Sequence, residues 1–441
     1  MRPFDRLHPA LQHHIVNTLG WRALRPLQED AIEPILAGEH VILQAPTAGG
    51  KTEAALFPVL SRMLEDGWRG LGVLYVCPIK ALLNNLEGRL QHYGRLVGRS
   101  AERWHGDIRD SARRTIRADP PDILLTTPES IEVMLVTRRA ERSRLFADVR
   151  VVIVDELHAF AGDDRGWHLL AVLERVSRLA GRDLQRIGLS ATVGNPGELL
   201  GWLAGSAGGS RRVVAPPAEA AAGAEVGLDF VGTLDNAATV IARLHAGEKR
   251  LVFCDSRARV EQLAAGLRGH GVDTYVSHSS LSLDERGRAE GAFAEGRNCV
   301  IVATSTLELG IDVGDLDRVI QIDAPATVSA FLQRLGRTGR RPGTKRNCLF
   351  LATSDDALIR AAGLIQLWSE GFVEPVVAPP EPFHILAQQI MALTLQEGGL
   401  ERARWREWVG GMPAFATMAK PDVDAVIDYI LSRGWGKLGD P

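Results

Sequence analysis

The chain has 441 residues, 45% of them hydrophobic and 24% charged. That balance supplies apolar material for several cores and excludes a disordered, collagen-like or disulfide-stapled chain. The formal net charge is −3, so no global basic field exists and any polyanion must meet a local groove.

In chain order, the opening MRPFDRLHP lacks a secretory apolar core. No window approaches the roughly 18 uninterrupted apolar residues of a membrane span. A soluble, cytoplasmic protein with no membrane partner is expected. Short β-branched runs then alternate with segments of helical period. They are HVILQ (40–44), LGVLYVCP (71–78), DILLTT (122–127), VRVVIVD (149–155) and QRIGLSAT (185–192) in the first half. In the second half they are RLVFCD (250–255), DTYVSH (273–278), NCVIVAT (298–304), DRVIQID (317–323) and NCLFLAT (347–353). Continuous apolar strands between helices are the pattern of parallel sheets covered on both faces. The fold class is therefore α/β, with two tandem doubly wound parallel-sheet lobes over residues 1–210 and 228–355. The Ala-, Gly- and Pro-rich stretch 211–227 reads as a linker. From 356 to 441 the strand rhythm stops, and 384–398, 403–409 and 420–434 read as three helices.

Four cysteines (77, 254, 299, 348) each lie in an apolar run, form no CxxC pair and read as buried small hydrophobes rather than metal ligands. Basic residues are almost all arginine, so arginine runs carry less functional information than usual. Those at 95, 99, 103, 109, 113, 114 and 117, and in TRRAERSR (137–144), read as solvated surface.

Chemistry enters at HVILQAPTAGGKTEAAL, a Gly-rich loop between a strand and a helix with the core Ala45-x-x-x-x-Gly50-Lys51-Thr52. Successive backbone N–H groups and a helix N-terminus solvate phosphates, a lysine reaches the β and γ oxygens, and a Thr hydroxyl ligates Mg²⁺. Thr47, Ala48, Gly49, Gly50, Lys51 and Thr52 thus form a candidate ATP site. Further on, VVIVDELHAF delivers Asp155 and Glu156 at a strand end. One such acid can hold Mg²⁺ (Asp155, with Thr52) and a second can orient an attacking water (Glu156).

The series APTAGGKT, CPIKAL, TTPES, DELH, SAT, TSTLELGIDV and QRLGRTGR resembles a superfamily 2 DExH-box helicase. The surroundings VDELHAFAGDDRGWHL, QRIGLSATVGNP and DRVIQIDAPATVSAFLQRLGRTGR look like the large helicase-related, or Lhr-type, proteins. The resemblance implies RecA-like lobes, with Gln28 reading the adenine edge and His158 linking the acid site to Ser190 and Thr192, which couple hydrolysis to lobe movement. It implies that Arg337 and Arg340 are arginine fingers, that Gln333 and Arg334 act beside them, and that Gly310 and Asp312 contact the nucleotide. Lys80, Thr127, Pro128, Glu129, Thr304 and Ser305 match positions that hold a nucleic-acid backbone, and Arg165 is added from the GDDRG loop. The chain departs from the family pattern at Ala48, where glycine is usual. If that position needs positive φ, alanine costs on the order of 1 kcal/mol unless Gly49 absorbs the strain.

The C-terminal helices resemble the start of a winged-helix domain, with a helical cap on the second lobe as the alternative. The resemblance suggests either a fragment or a short natural protein. It implies an ATP- and Mg²⁺-dependent helicase or translocase moving 3′ to 5′ on single-stranded or tailed duplex nucleic acid, with DNA favoured and a place in DNA repair. Two competitors stand beside it: an RNA helicase with the same motor, and a nucleotide-regulated scaffold without turnover. The complete catalytic set argues against the scaffold.

Overall fold

The structure is a computed structural model that describes residues 2–46, 49–215, 223–278, 280–281, 283–308, 316–339 and 343–433. The first lobe is built on β1 (His40–Gln44), β2 (Val73–Val76), β3 (Ala101–Trp104), β4 (Ile123–Thr126), β5 (Val151–Val154), β6 (Gln185–Ser190) and β7 (Arg211–Val214). They form one parallel sheet in the order β3-β4-β2-β5-β6-β1-β7. The second lobe uses β8 (Ala224–Phe230), β9 (Arg250–Phe253), β10 (Thr274–Ser277), β11 (Val300–Ala303), β12 (Arg318–Ile322) and β13 (Arg346–Ala352). Its parallel order is β10-β11-β9-β12-β13-β8.

Two-sided burial explains the unbroken apolar runs. In the first lobe Val41, Leu43, Tyr75 and Ile153 enter one core cluster, while Ile42, Leu74, Val76 and Val154 enter the cluster on the opposite face. Leu251 and Phe253 are likewise divided from Val252 and Cys254 in the second lobe. Each fully buried aliphatic contributes about 1.5–3 kcal/mol relative to exposure, so neither face can be left uncovered. All four cysteines are buried and free. No helix among the described residues is long and apolar enough to cross a membrane.

The structure corrects the expected linker at both ends. Arg211–Val214 pairs with β1 and Ala224–Phe230 pairs with β13, so both belong to sheets. Each is an edge strand whose side chains, Val214 apart, are exposed or half-buried, which is why no apolar run marked it. The remaining new strand, β3 (AERW), is also an edge, with Glu102 exposed and Arg103 half-buried between buried Ala101 and Trp104.

In the C-terminal region the three expected helices are present, with a short fourth, Pro413–Ala416, before the last. The helix Asp355–Ser369 packs on the second lobe through Ala361 and Leu364. The helices Phe383–Glu397, Trp405–Val409, Pro413–Ala416 and Lys420–Ser432 instead pack on the first lobe. There Ile385, Leu386, Ile390 and Trp405 share a cluster with Trp167, Leu170 and Ala171 of the helix Asp164–Ala180. A second-lobe cap is thus ruled out by the position of this core. Arg142 accounts for another correction: it is buried and paired to Glu397 at 2.7 Å, not solvated. Arg99 is also tied down, bonded to Asp122 and to the Trp68 and Met63 carbonyls.

Candidate nucleotide and nucleic-acid site

Strand order assembles the site. β1, β6 and β5 are neighbours, so the loops after their carboxyl ends bring Gly49–Thr52, Ser190–Thr192 and Asp155–His158 together. This is the expected ligand edge of an open parallel sheet. β2 and β4 lie beyond β5 and place Lys80 and Thr127–Glu129 along the adjoining half of that edge.

Among the described residues of the phosphate loop the left-handed one is Gly50, with φ 80°, capping the helix Lys51–Glu65. A Cβ there would fall 2.5 Å from the Gln28 amide, and one at Gly49 would fall 2.8 Å from the Ala45 Cβ. The positive φ is therefore not taken by Gly49. Thr47 and Ala48 lie outside the described residues, as do Gly310, Asp312 and Arg340. Lys51 Nζ donates to the Ala45 and Pro46 carbonyls at 2.7 and 3.2 Å. Burial pushes its pKa down, the Glu156 and Asp155 charges oppose that, and Arg337 from the second lobe adds to the depression. Gln28 is buried in the helix Pro26–Leu36, accepts from Arg25 N at 3.0 Å and donates to the Gly50 carbonyl at 3.4 Å. It touches the loop that would meet a nucleotide.

The acidic centre is nearby. Asp155 is buried, accepting from Glu156 N at 2.9 Å and from the Tyr75 hydroxyl at 3.0 Å, and Thr52 lies beside the same hydroxyl. Burial and the neighbouring Glu156 charge push the Asp155 carboxyl up to about 6, against the pull of Lys51. Glu156 adopts φ 47°, a left-handed conformation that costs a non-glycine residue on the order of 1 kcal/mol or more. It turns the chain sharply from β5 into the helix Leu157–Ala161. Tyr75 was not anticipated; its only signal is a hydroxyl inside an aliphatic strand.

His158 joins the two lobes. Its Nδ1 accepts from Ala191 N at 3.3 Å and lies 3.4 Å from Ser190 Oγ. Its Nε2 is 3.0 Å from the Gln333 amide and 3.7 Å from Glu156 Oε2. Burial, with Lys51 adding to it, lowers its pKa to about 4, so the ring is neutral near pH 7. Gln333 is carried by the helix Val328–Leu335, and Arg337 follows it, 1% exposed and donating to the Glu308 carbonyl. Arg334, expected to act beside the fingers, is buried. It turns into its own lobe, pairs with Glu308 and Gln321, and stacks 4.8 Å over Phe253.

On the adjoining half, Lys80 is half-exposed and bridges both Asp107 carboxylate oxygens at 2.8 and 2.9 Å. Its neighbour Ala81 packs against the second-lobe core. Thr127 caps the helix Pro128–Leu135, whose Glu129 is bonded to Arg165, and Arg165 also donates to the Pro78 carbonyl at 2.9 Å. Thr304 and Ser305 follow β11 and open a short 3₁₀ turn, Ser305–Leu307. No cluster of three or more His, Cys, Asp or Glu able to hold a metal occurs among the described residues. The fit for a divalent ion is the sparse one of Thr52 and Asp155. That suits Mg²⁺, which relies on one or two protein ligands, water and substrate phosphates.

Residues 25–199 match the DEAD/DEAH box helicase family and 233–342 match the helicase conserved C-terminal domain. The Lhr helicase/probable uracil glycosylase of Mycolicibacterium smegmatis is 32% identical over 94% of this chain and 31% of its own length. The ATP-dependent helicase Lhr-Core of Methanothermobacter thermautotrophicus is 31% identical over 84% of this chain and 46% of its own. The chain thus spans less than half the length of these curated relatives. The structure of Mycobacterium smegmatis helicase Lhr bound to ssDNA and AMP-PNP superposes with a TM-score of 0.85 at 31% identity, covering 98% of this chain and 58% of that one.

Proposed function

We propose, for a chain that belongs to the Lhr-type branch of the DEAD/DEAH box helicases, an ATP-driven motor that translocates 3′ to 5′ on DNA and separates strands. The observation that carries the reading is the contact of His158 with Gln333, which binds the DELH turn of one lobe to the helix leading to Arg337 in the other. Lys51 and the loop N–H groups hold the ATP phosphates, while Thr52 and Asp155 hold Mg²⁺. When bound, the ion neutralises charge on the β- and γ-phosphate oxygens. Glu156, fixed by its left-handed turn, orients and polarises the attacking water. Arg337 stabilises the charge of phosphoryl transfer from the opposite side, with Arg340 assigned the same task, a contribution of about 10³–10⁵ in turnover for such fingers. Because these groups come from two lobes, hydrolysis requires closure and product release favours reopening.

Lys80, Thr127, Pro128, Glu129, Arg165, Thr304 and Ser305 form the backbone-holding groove. Such contacts position without reading sequence, so binding is sequence-tolerant and salt-sensitive. DNA as the substrate is supported by the ssDNA-bound relative, direction by the Lhr-type resemblance, and DNA repair is the pathway that resemblance favours. The test is strand displacement on tailed DNA–DNA and RNA–DNA duplexes of both polarities. Unwinding from 3′ single-stranded DNA tails is expected. Activity confined to RNA tails, or to 5′ tails, overturns the substrate or the direction.

A further inference from the structure

Between the second-lobe helix Asp355–Ser369 and the C-terminal helices, residues 373–379 run from the second lobe to the first without regular secondary structure. Val373 packs on the second-lobe core, Val376 on the first-lobe core and Ala378 on the C-terminal cluster. The crossing is bonded on both sides. On the second lobe, the Glu374 carboxylate accepts from Val328 N at 2.7 Å and Ser329 N at 3.1 Å. With Thr327 Oγ1 taking Ala330 N, the first three donors of the helix Val328–Leu335 are all satisfied. On the first lobe, the Glu374 carbonyl accepts from Gly194 N at 3.1 Å, and Asn195 makes paired bonds with Val376 N and O at 2.8 and 3.0 Å. A Cβ on Gly194 would fall 2.3 Å from the Val373 carbonyl, so the approach is possible only for glycine. Trp167 Nε1 secures the far end on the Pro379 carbonyl at 2.7 Å.

The two anchors are elements of the motor. Val328–Leu335 carries Gln333 and leads to Arg337, while Gly194 and Asn195 follow the SAT turn after one residue, Val193. Together with the His158 contacts to Gln333 and Ala191, the crossing closes a ring: DELH turn, SAT turn, strap, finger helix and back to DELH. A helix end held by an acidic side chain from a separate segment is fixed in angle as well as position, because two parallel N–H donors meet one carboxylate. The other hand of that segment grips the opposite lobe.

We propose that residues 373–379 are an interlobe tie, and that Glu374 is a positioning residue that sets the finger helix against the SAT turn in the closed state. The proposal rests on the motor reading above and adds a residue to it. The tie holds only while both of its hands grip. Cutting either hand therefore removes the same coupling, and cutting both removes no more.

Two measurements on the whole chain test it. In the first, nucleic-acid-stimulated ATPase is compared for wild type, Glu374→Ala, Asn195→Ala and the double variant, with thermal melting of each. Each single change is expected to lower kcat on the order of tenfold. KM for ATP stays within about twofold, because the phosphate loop is untouched. The double variant is expected to fall no further than either single, and Glu374→Asp to recover part of the rate. Multiplying losses in the double, or unchanged kcat in both singles, overturns the tie. The second measurement does not need turnover. Dyes on Arg69→Cys and Arg243→Cys, exposed positions on the two lobes, report interlobe distance by energy transfer with a non-hydrolysable ATP analogue and single-stranded DNA. Glu374→Ala should remain in the low-transfer state where the parent closes. Equal transfer in both overturns the tie, whereas a parent that closes but never hydrolyses ATP indicts the motor reading alone.

Discussion

Asp155 shows how a single residue is prepared for its task. A carboxyl pushed up to about 6 by burial and by Glu156 gives up its proton less readily than a free one, where an Mg²⁺ ligand should be charged. The Tyr75 hydroxyl at 3.0 Å is a donor that fixes its orientation and favours the ionised form. Outer partners of metal ligands commonly set 10–100-fold in affinity. Tyr75→Phe is therefore expected to raise the Mg²⁺ concentration for half-maximal ATPase about tenfold, with the melting temperature little changed; an Mg²⁺ titration at fixed ATP reads it. The neighbouring residue carries chemistry rather than orientation. Glu156→Gln should lower stimulated ATPase by at least about 10²-fold while ATP still binds, and Arg337→Ala by about 10³-fold. Wild-type rates in both variants would refute the catalytic assignment.

At the scale of elements, the loop from β1 into Lys51–Glu65 is governed by one glycine. Gly50 combines φ 80° with contact to Gln28, so Gly50→Ala adds backbone strain of about 1 kcal/mol and displaces the amide that braces the loop. ATP affinity should fall about tenfold in a titration with a fluorescent ATP analogue, because a displaced loop no longer presents its N–H groups to the phosphates. The loop, the DELH turn and the SAT strand were readable because the chemistry there demands particular residues at particular strand ends. The central strands were readable because burial on both faces forbids polar interruptions. Edge strands β3, β7 and β8 were not, since one exposed edge and a wetter face relax that demand and let Glu102, Arg211 and Glu225 in. Arg334 illustrates a different limit: spacing placed it beside the fingers, but only the fold shows its pairing with Glu308 and Gln321. Tyr75 and Glu374 act through partners distant in sequence, and no local pattern announces them.

Over the whole molecule, the chain returns to the lobe it started from. The C-terminal helices dock on Asp164–Ala180, the second helix after the DELH turn, so motor and appendage share one element. The polar heart of this junction is Glu132, which accepts from Arg175, His168 and Gln389, while Arg175 also reaches Gln396. Burial works to raise the Glu132 carboxyl, but His168, Arg175 and Gln389 outweigh it and hold the pKa down at about 2, from 4.5. The folded form therefore favours the charged carboxylate. Its stabilisation is whole above pH 4.5 and drains as the pH falls from there through about 2. Acidification in that window should loosen the C-terminal helices from the first lobe, seen as red-shifted emission from buried Trp405 and Trp167 and as faster proteolysis between 370 and 382. Glu132→Gln removes the titrating group and leaves the Arg175 charge uncompensated, a change that costs about 3–5 kcal/mol at buried pairs. The variant should melt lower at pH 7 and lose less between pH 5 and pH 3 than the parent. An acid response of equal size in both would place its origin outside this junction.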